Sequence, residues 1–420
     1  ALSNQENEFE MDQGENGSKS EHMRNVPANL LNYGTGQILD GQVTIQTSAA
    51  TYIDKGEDRH VVSFGNKEMA ECQEEFHPNV PRMVAYIAVF DGHDGPNASE
   101  YAYKGLLPHI LSETEESIRK NKGSKQVVAV NGDKVDSSLD AGIINGFHKA
   151  QDRFAKQLDP PTFQDVKKGI KATRFGSKGH LSRLLRKPRG KPRGGTTALT
   201  LQIYGEIDPD SQSKDSLRPM PYVVVANAGD CRLLTDDGLG SHEFRQVTFD
   251  HRPTNDDEHT RLKECVRQGD ALLGREMGVG TLRVYPGGLA VSRSIGDLNA
   301  SGAIMCTPDV HRLPVADDGR VHRLVLGSDG LWDVLENSEV EKIVARVQKK
   351  KIENATNKKD KGDNADAANE ETTAKDEEQM IVEPNQAASK LMEECLKKGG
   401  TMDDVTLIIV DISYAGSKLN

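Results

Sequence analysis

At 420 residues the chain is long enough for one large domain or two ordinary ones, and its net charge of −12 argues against nucleic acid as the main partner. A hydrophobic content of 35% with a mean hydropathy of −0.61 describes a real core diluted by polar insertions. The five cysteines, at 72, 231, 265, 306 and 395, are scattered and never form a C-x-x-C pair, which fits a reducing compartment without a disulfide framework or zinc site; no apolar run reaches the length of a membrane span.

Residues 1 to about 25 are polar and acidic, with almost nothing apolar to bury, and are expected to form a disordered tail before a single domain over 26–414. The chain begins at Ala1 and not at Met. A removed presequence would account for this, so the expected intracellular location includes the mitochondrion beside cytoplasm and nucleus. The N-x-S/T triplets at Asn16, Asn97 and Asn354 are read as chance, because nothing else points to secretion.

Val43 to Thr47 alternates as a strand does, and Val61 to Phe64 follows as another. Between them stand Lys55, Glu57 and Asp58; on a continuing strand Lys55 and Glu57 would share a face. Val84 to Phe90 is a run of mostly apolar residues long enough for a buried strand, and it ends on Asp91-Gly92-His93-Asp94-Gly95. Gly92 allows close backbone approach to a ligand, and Asp91 offers the hard oxygen that Mg²⁺ or Mn²⁺ prefers. Helical spacing runs from Asn97 to Lys120 and from Leu139 to Leu158, with a polar loop expected between them.

A basic insertion, about 160–193, has Lys and Arg in excess and ends in K-P-R-G-K-P-R. Such a tract suits docking to an acidic partner, an anionic lipid surface or an import receptor, but its Pro and Gly favour a solvated loop. Thr197 to Tyr204 and Tyr222 to Ala228 read as strands, the second running into Gly229-Asp230. Asp250 to Pro253 opens a loop, Asp256 to Gln268 reads as a helix, and the Gly-rich 269–288 stretch as a mobile flap. Arg323 to Gly327 is a third strand running into an acid, Asp329, with Trp332 and Asp333 just beyond; Ser338 to Val347 reads as a helix. A charged, low-complexity insertion spans about 349–384, a helix runs from Gln386 to Lys398, and Asp403-Asp404 precede the apolar strand Val405 to Ile412.

Carboxylates thus recur at strand ends. Gathered on one edge without counter-ions they would repel strongly; divalent cations remove that cost, and two ions sharing a carboxylate can activate a bridging water. No P-loop, H-E-x-x-H or G-x-S-x-G competes as a site.

The series F-D-G-H-D-G, G-G-T-T-A, A-N-A-G-D-C-R, D-H-R-P, L-A-V-S-R-S-I-G-D, S-D-G-L-W-D-V and D-D-V-T-L-I-I-V, in that order from about residue 40 to 412, resembles the motifs of the PP2C-type (PPM) metal-dependent Ser/Thr protein phosphatases. The resemblance implies an α+β fold, a β-sandwich of two antiparallel sheets flanked by helices on both sides in α-β-β-α layers. It implies a phosphoprotein substrate and hydrolysis without a phosphoenzyme; a monomer is expected, and the charge and the apolar-run lengths predict neither nucleic acid as partner nor an integral membrane segment. Two Mg²⁺ or Mn²⁺ ions would share Asp91. Asp329 and Asp403 would complete one ion's protein ligands, and Glu57 with the carbonyl of Gly92 the other's. Asp58 would orient a water, and His93 would be the general acid for the leaving Ser or Thr oxygen. Asp230 and Asp333, with Asp329 again, match the acids that hold a weaker third ion in some members.

The chain departs from the family pattern at Ile53, where many members carry an Arg that grips the substrate phosphate; Lys55 is the expected partial substitute, a point charge without the bidentate fork. A pseudophosphatase scaffold without turnover is the alternative that Ile53 leaves open, and a small phosphate ester is the alternative substrate.

Overall fold

In the computed structural model the described residues are 29–38, 43–64, 67–76, 80–120, 127–130, 133–174, 192–205, 222–236, 244–275, 278–315, 321–347, 384–399 and 403–414. The expected N-terminal tail, the 175–191 part of the basic insertion and the 349–383 part of the charged insertion lie outside them.

Two antiparallel sheets form the centre. One has six strands, in the order Asn29–Ile38, Val43–Tyr52, Val405–Tyr414, Val321–Gly327, Arg232–Asp236, Phe244–Gln246. The other has five, in the order Asp309–Pro314, Tyr222–Ala228, Ala198–Gly205, Arg82–Phe90, Arg59–Phe64. The alternation of side chains along a strand explains why their sequences read as unbroken apolar runs. In Arg82–Phe90, Ala85, Ile87 and Val89 point into the core between the sheets, while Tyr86, Ala88 and Phe90 point the other way, into a helical layer. In Val405–Tyr414, Ile408 and Val410 face the inter-sheet core, and Leu407 and Ile409 a second helical layer. Each large side chain so buried contributes about 1.5–3 kcal/mol.

The helices Asn97–Lys120 and Ser137–Ala155 cover the five-stranded sheet through Leu106, Ile110, Leu139, Ile143 and Phe147. The helix at 337–347 and Pro384–Gly399 cover the six-stranded sheet through Val340, Val344, Leu391 and Met392. The layers are therefore α-β-β-α, as expected. Among the described residues no helix is long and apolar enough to cross a membrane.

Three local expectations change. The start of the basic insertion is a packed helix, Phe163–Arg174, not a solvated loop. Val166 and Ile170, one helical turn apart, are buried in the main core, and Lys171 Nζ sits 3.0 Å from Glu75 Oε1, so the basic residues flank an apolar stripe. The expected loop between the two long helices contains a short hairpin, Val127–Val130 with Asp133–Asp136. The Gly-rich stretch carries the hairpin Leu272–Gly274 with Arg283–Tyr285, anchored with the helix Asp256–Gln268 by a small core of Leu262, Ala271, Val284 and Ala303.

One buried ion pair ties the six-stranded sheet. Arg323 and Asp411 are direct cross-strand partners, and both guanidinium-to-carboxylate bonds form, at 2.7 and 2.5 Å. Asp411→Ala is expected to cost about 3–5 kcal/mol in denaturant unfolding because it removes the forked carboxylate partner of a buried guanidinium, whereas the double change Arg323→Leu, Asp411→Leu costs much less. A fully additive double-mutant cycle would refute this coupling.

Candidate metal centre and active site

The strand register brings the end of Val43–Tyr52, the end of Val321–Gly327 and the start of Val405–Tyr414 to one edge, with Tyr52 opposite Val405 and Gly327 opposite Leu407. Past Tyr52 the chain does not continue as a strand; it turns through 53–58 around a single carboxylate. Asp404 Oδ1 accepts the backbone N–H groups of Asp54, Lys55 and Gly56 at 2.6, 2.7 and 3.1 Å, and Oδ2 those of Glu57 and Asp58 at 2.6 and 3.0 Å. Burial raises the Asp404 pKa, but these donors outweigh it and hold the carboxyl below its ordinary value. The shared strand face expected for Lys55 and Glu57 is therefore absent. Lys55 Nζ instead lies 2.7 Å from Asp403 Oδ2, while Ile53 stands 63% exposed.

Asp91 follows the strand Arg82–Phe90, Asp230 follows Tyr222–Ala228 by one glycine, and Asp329 opens the short helix Asp329–Trp332. One carboxylate oxygen from each of these acids lies within 4.8 Å of the other two. Asp58, held by Thr406 Oγ1 at 2.7 Å, adjoins them. Burial, then the charges of Asp58, Asp329 and Asp230, drives the Asp91 pKa well above the ordinary carboxylate range. Asp58 is pushed up to about 7, first by burial and then by Asp404 and Asp329, and Asp329 to about 7 by burial, Asp230 and Asp333. Acids so crowded and desolvated are the donor set that a hard divalent cation neutralises, and the residues fit Mg²⁺ or Mn²⁺.

Glu57 and Asp403 stand outside the tightest triad, and Lys55 feels both together with Asp329. Glu57 Oε1 accepts the Gly95 N–H at 2.5 Å. A Cβ at Gly92 would lie 2.5 Å from the Glu57 carbonyl oxygen and 2.8 Å from Ser99 Oγ, so only glycine lets the two acidic segments meet here.

His93 Nε2 contacts Asp297 Oδ2 at 2.8 Å, and Ser294 Oγ donates to the same oxygen at 2.5 Å. Burial alone would lower the His93 pKa; the Asp297 carboxylate, reinforced by Asp230 and Glu57, more than reverses that and raises it above the ordinary imidazole value. Gly195 lies against this pair: a Cβ there would stand 2.1 Å from Asp297 Oδ2 and 2.5 Å from His93 Nε2. From the helix Ser137–Ala155, Gln151 brackets Gly296, accepting its N–H at 2.6 Å and donating to its carbonyl at 2.9 Å. Sequence alone gives Asp297 and Gln151 no role and reads Asp404 only as one more acid at a strand end; Asp297 carries a signal, an acid directly after a glycine in L-A-V-S-R-S-I-G-D, whereas Gln151 carries none.

Asp230 and Asp333 do come together with Asp329, but around an arginine. Arg252 Nε donates to Asp230 Oδ2 at 2.8 Å, and Nη2 to Asp333 Oδ1 at 2.9 Å and to Asp329 Oδ2 at 3.4 Å.

A family model for protein phosphatase 2C matches residues 57–405. The chain belongs to the protein phosphatase 2C family. Probable protein phosphatase 2C 15 of Arabidopsis thaliana is 27% identical over 267 residues, covering 62% of this chain and 46% of that protein. Probable protein phosphatase 2C 33 of Oryza sativa subsp. japonica is 25% identical over 372 residues, covering 85% of this chain and 62% of that protein. The chain thus spans about half to three-fifths of the length of these relatives. The crystal structure of a serine-threonine phosphatase 2C from Toxoplasma gondii superposes with a TM-score of 0.52 at 18% identity, covering 92% of this chain and 100% of that one, which supports the shared fold.

In this member of the protein phosphatase 2C family, Asp404 fixes the loop that carries Glu57 and Asp58. Asp404→Ala is expected to lower unfolding stability by about 3 kcal/mol or more, since it removes a charged acceptor from five backbone donors, and to weaken Mn²⁺ binding. Chemical denaturation and Mn²⁺ titration check this; unchanged values in both would refute it.

Proposed function

We propose that the chain is a Ser/Thr phosphoprotein phosphatase that works with Mg²⁺ or Mn²⁺ and forms no phosphoenzyme. The observation that carries this reading is the triad of Asp91, Asp230 and Asp329, with Asp230 buried and the other two half-buried, beside the His93–Asp297 pair, within the protein phosphatase 2C family. Glu57, Asp91, the Gly92 carbonyl, Asp329 and Asp403 would hold two ions. Bound there, the ions supply positive charge to the phosphoryl oxygens and lower the pKa of water.

The remaining work falls to the chain. Asp58, oriented by Thr406, orients the attacking water and is placed to accept its proton. His93 keeps Nε2 on Asp297, which leaves Nδ1 to protonate the leaving Ser or Thr oxygen, a poor leaving group as an alkoxide. Lys55, beside Asp403, offers a point charge to the substrate phosphate where Ile53 offers none.

Turnover of a phosphothreonine peptide is expected with Mn²⁺ or Mg²⁺, lost in EDTA, and reduced at least about a hundredfold in Asp91→Asn. Folded protein without turnover in either metal would favour the pseudophosphatase scaffold, and preference for metabolite phosphates would favour a small-ester enzyme. In the same assay Lys55→Ala raises KM if the lysine meets phosphate; an unchanged KM leaves it as a partner of Asp403 alone. Asp297→Asn removes the carboxylate that stabilises the imidazolium, so the His93 pKa falls and the alkaline limb of the kcat/KM profile moves to lower pH. An unmoved limb would exclude His93 as the acid.

A further inference from the structure

The acids at the Asp230 and Asp333 side of the centre already have a cation, and the fold delivers it rigidly. Arg252 spans Asp230, Asp333 and Asp329 with one guanidinium. Both residues before it are locked. His251 is buried, with Nε2 2.9 Å from Asp309 Oδ2, its N–H on the Gly229 carbonyl at 3.0 Å, and its own carbonyl accepting from Ser292 N and Oγ at 2.8 and 2.9 Å. Asp250 accepts a fork from Arg232 at 3.1 and 2.7 Å, and the Arg232 guanidinium lies 5.2 Å from the centroid of the Trp332 ring. Trp332 is in turn fixed by Nε1 donating to the Gly327 carbonyl at 2.9 Å. Arg252 is thus held at its root from both the strand side and the helix side, and its charge is permanent across the working pH range.

A divalent ion between Asp230 and Asp333 would compete with the guanidinium for Asp230 Oδ2 and Asp333 Oδ1, and the two cations would repel each other at that separation. We propose that Arg252 is a built-in cation that takes the place of a third metal ion, so that this chain binds two divalent ions and excludes another from Asp230 and Asp333. The inference rests on the two-ion reading above.

Counting bound Mn²⁺ on the full chain, by equilibrium dialysis with elemental analysis, tests it without reference to activity. Wild type is expected to hold two ions. Arg252→Met, which keeps the aliphatic stem and removes the charge, gains one ion per chain, and adding Asp230→Asn to it abolishes the gain. Arg252→Gln provides the same count if Arg252→Met fails to fold, while Arg252→Lys, still charged, stays at two. Three ions on the wild type, or no gain in either neutral variant, would overturn the proposal. A wild type that binds no ion would sink the two-ion reading and this inference together, whereas equal, non-zero counts throughout would sink this inference alone.

Discussion

The carboxylate of Asp404 is the contact on which the site depends. It joins a loop near the start of the domain to a strand at its end, with partners 346 to 350 residues apart in sequence. Five backbone N–H groups converging on two oxygens form an anion nest, and the nest decides the path of the chain through 54–58. Glu57 and Asp58 are presented from this loop with their own N–H groups spent on Asp404, which leaves Asp58 beside Asp91. Asp403, one residue before, takes Lys55 on its Oδ2 and gives Oδ1 to the Asp404 N–H at 2.9 Å. Two neighbouring aspartates thus divide the labour: Asp404 binds the loop backbone, and Asp403 pairs with Lys55 from that same loop.

The second constraint is charge. The fold buries acids that raise one another's pKa, and it places its own cations only around the margin. Lys55 stands at Asp403, Arg252 at Asp230 and Asp333, and the raised pKa of His93 reflects Asp297. Arg252 reaches Asp329 Oδ2 only at 3.4 Å, and among the described residues no ion pair is made to Asp58 or Asp91, where burial and neighbouring acids raise the pKa values. Two kinds of compensation therefore operate within a few ångströms. Side-chain cations settle the rim, where they also fix loops, and in the two-ion reading proposed above the interior is where divalent ions would sit.

Much of this was legible in the sequence because it is local. Val84 to Phe90 declares a strand by its apolar run, and Asn97–Lys120 and Asp256–Gln268 occupy the same spans in the structure as in the periodicity. The acids after strands were legible for the same reason, since a strand that ends on Gly-Asp must deliver that acid to an edge. Asp404 was not, because nothing near it in sequence shows that its partners are backbone N–H groups of residues 54–58. Gln151 looked like an ordinary polar position of an amphipathic helix, and only the approach of Gly296 gives it a task. The Phe163–Arg174 helix was hidden by its lysines: composition pointed to a loop, while Val166 and Ile170 at a four-residue spacing had enough apolar surface to dock.

The Gly-rich stretch shows how far composition misleads when a distant charge network anchors a segment. Glu258, on the helix Asp256–Gln268, accepts from Arg261 Nη2 at 2.7 Å, from Arg293 Nη2 at 2.7 Å and from Ser292 Oγ at 2.6 Å. Burial opposes its ionisation, yet these donors hold its pKa at about 2. Arg293 extends the network to Asp309 Oδ1 at 2.7 Å, and Asp309 holds His251, the residue before Arg252. Arg261 also caps the Ala303 carbonyl at 2.7 Å, at the small core under the hairpin. The glycines give that hairpin its turns, but its base is fastened through Glu258 to the same loop that presents Arg252. Glu258 is therefore linked through Arg293, Asp309 and His251 to the loop that presents Arg252.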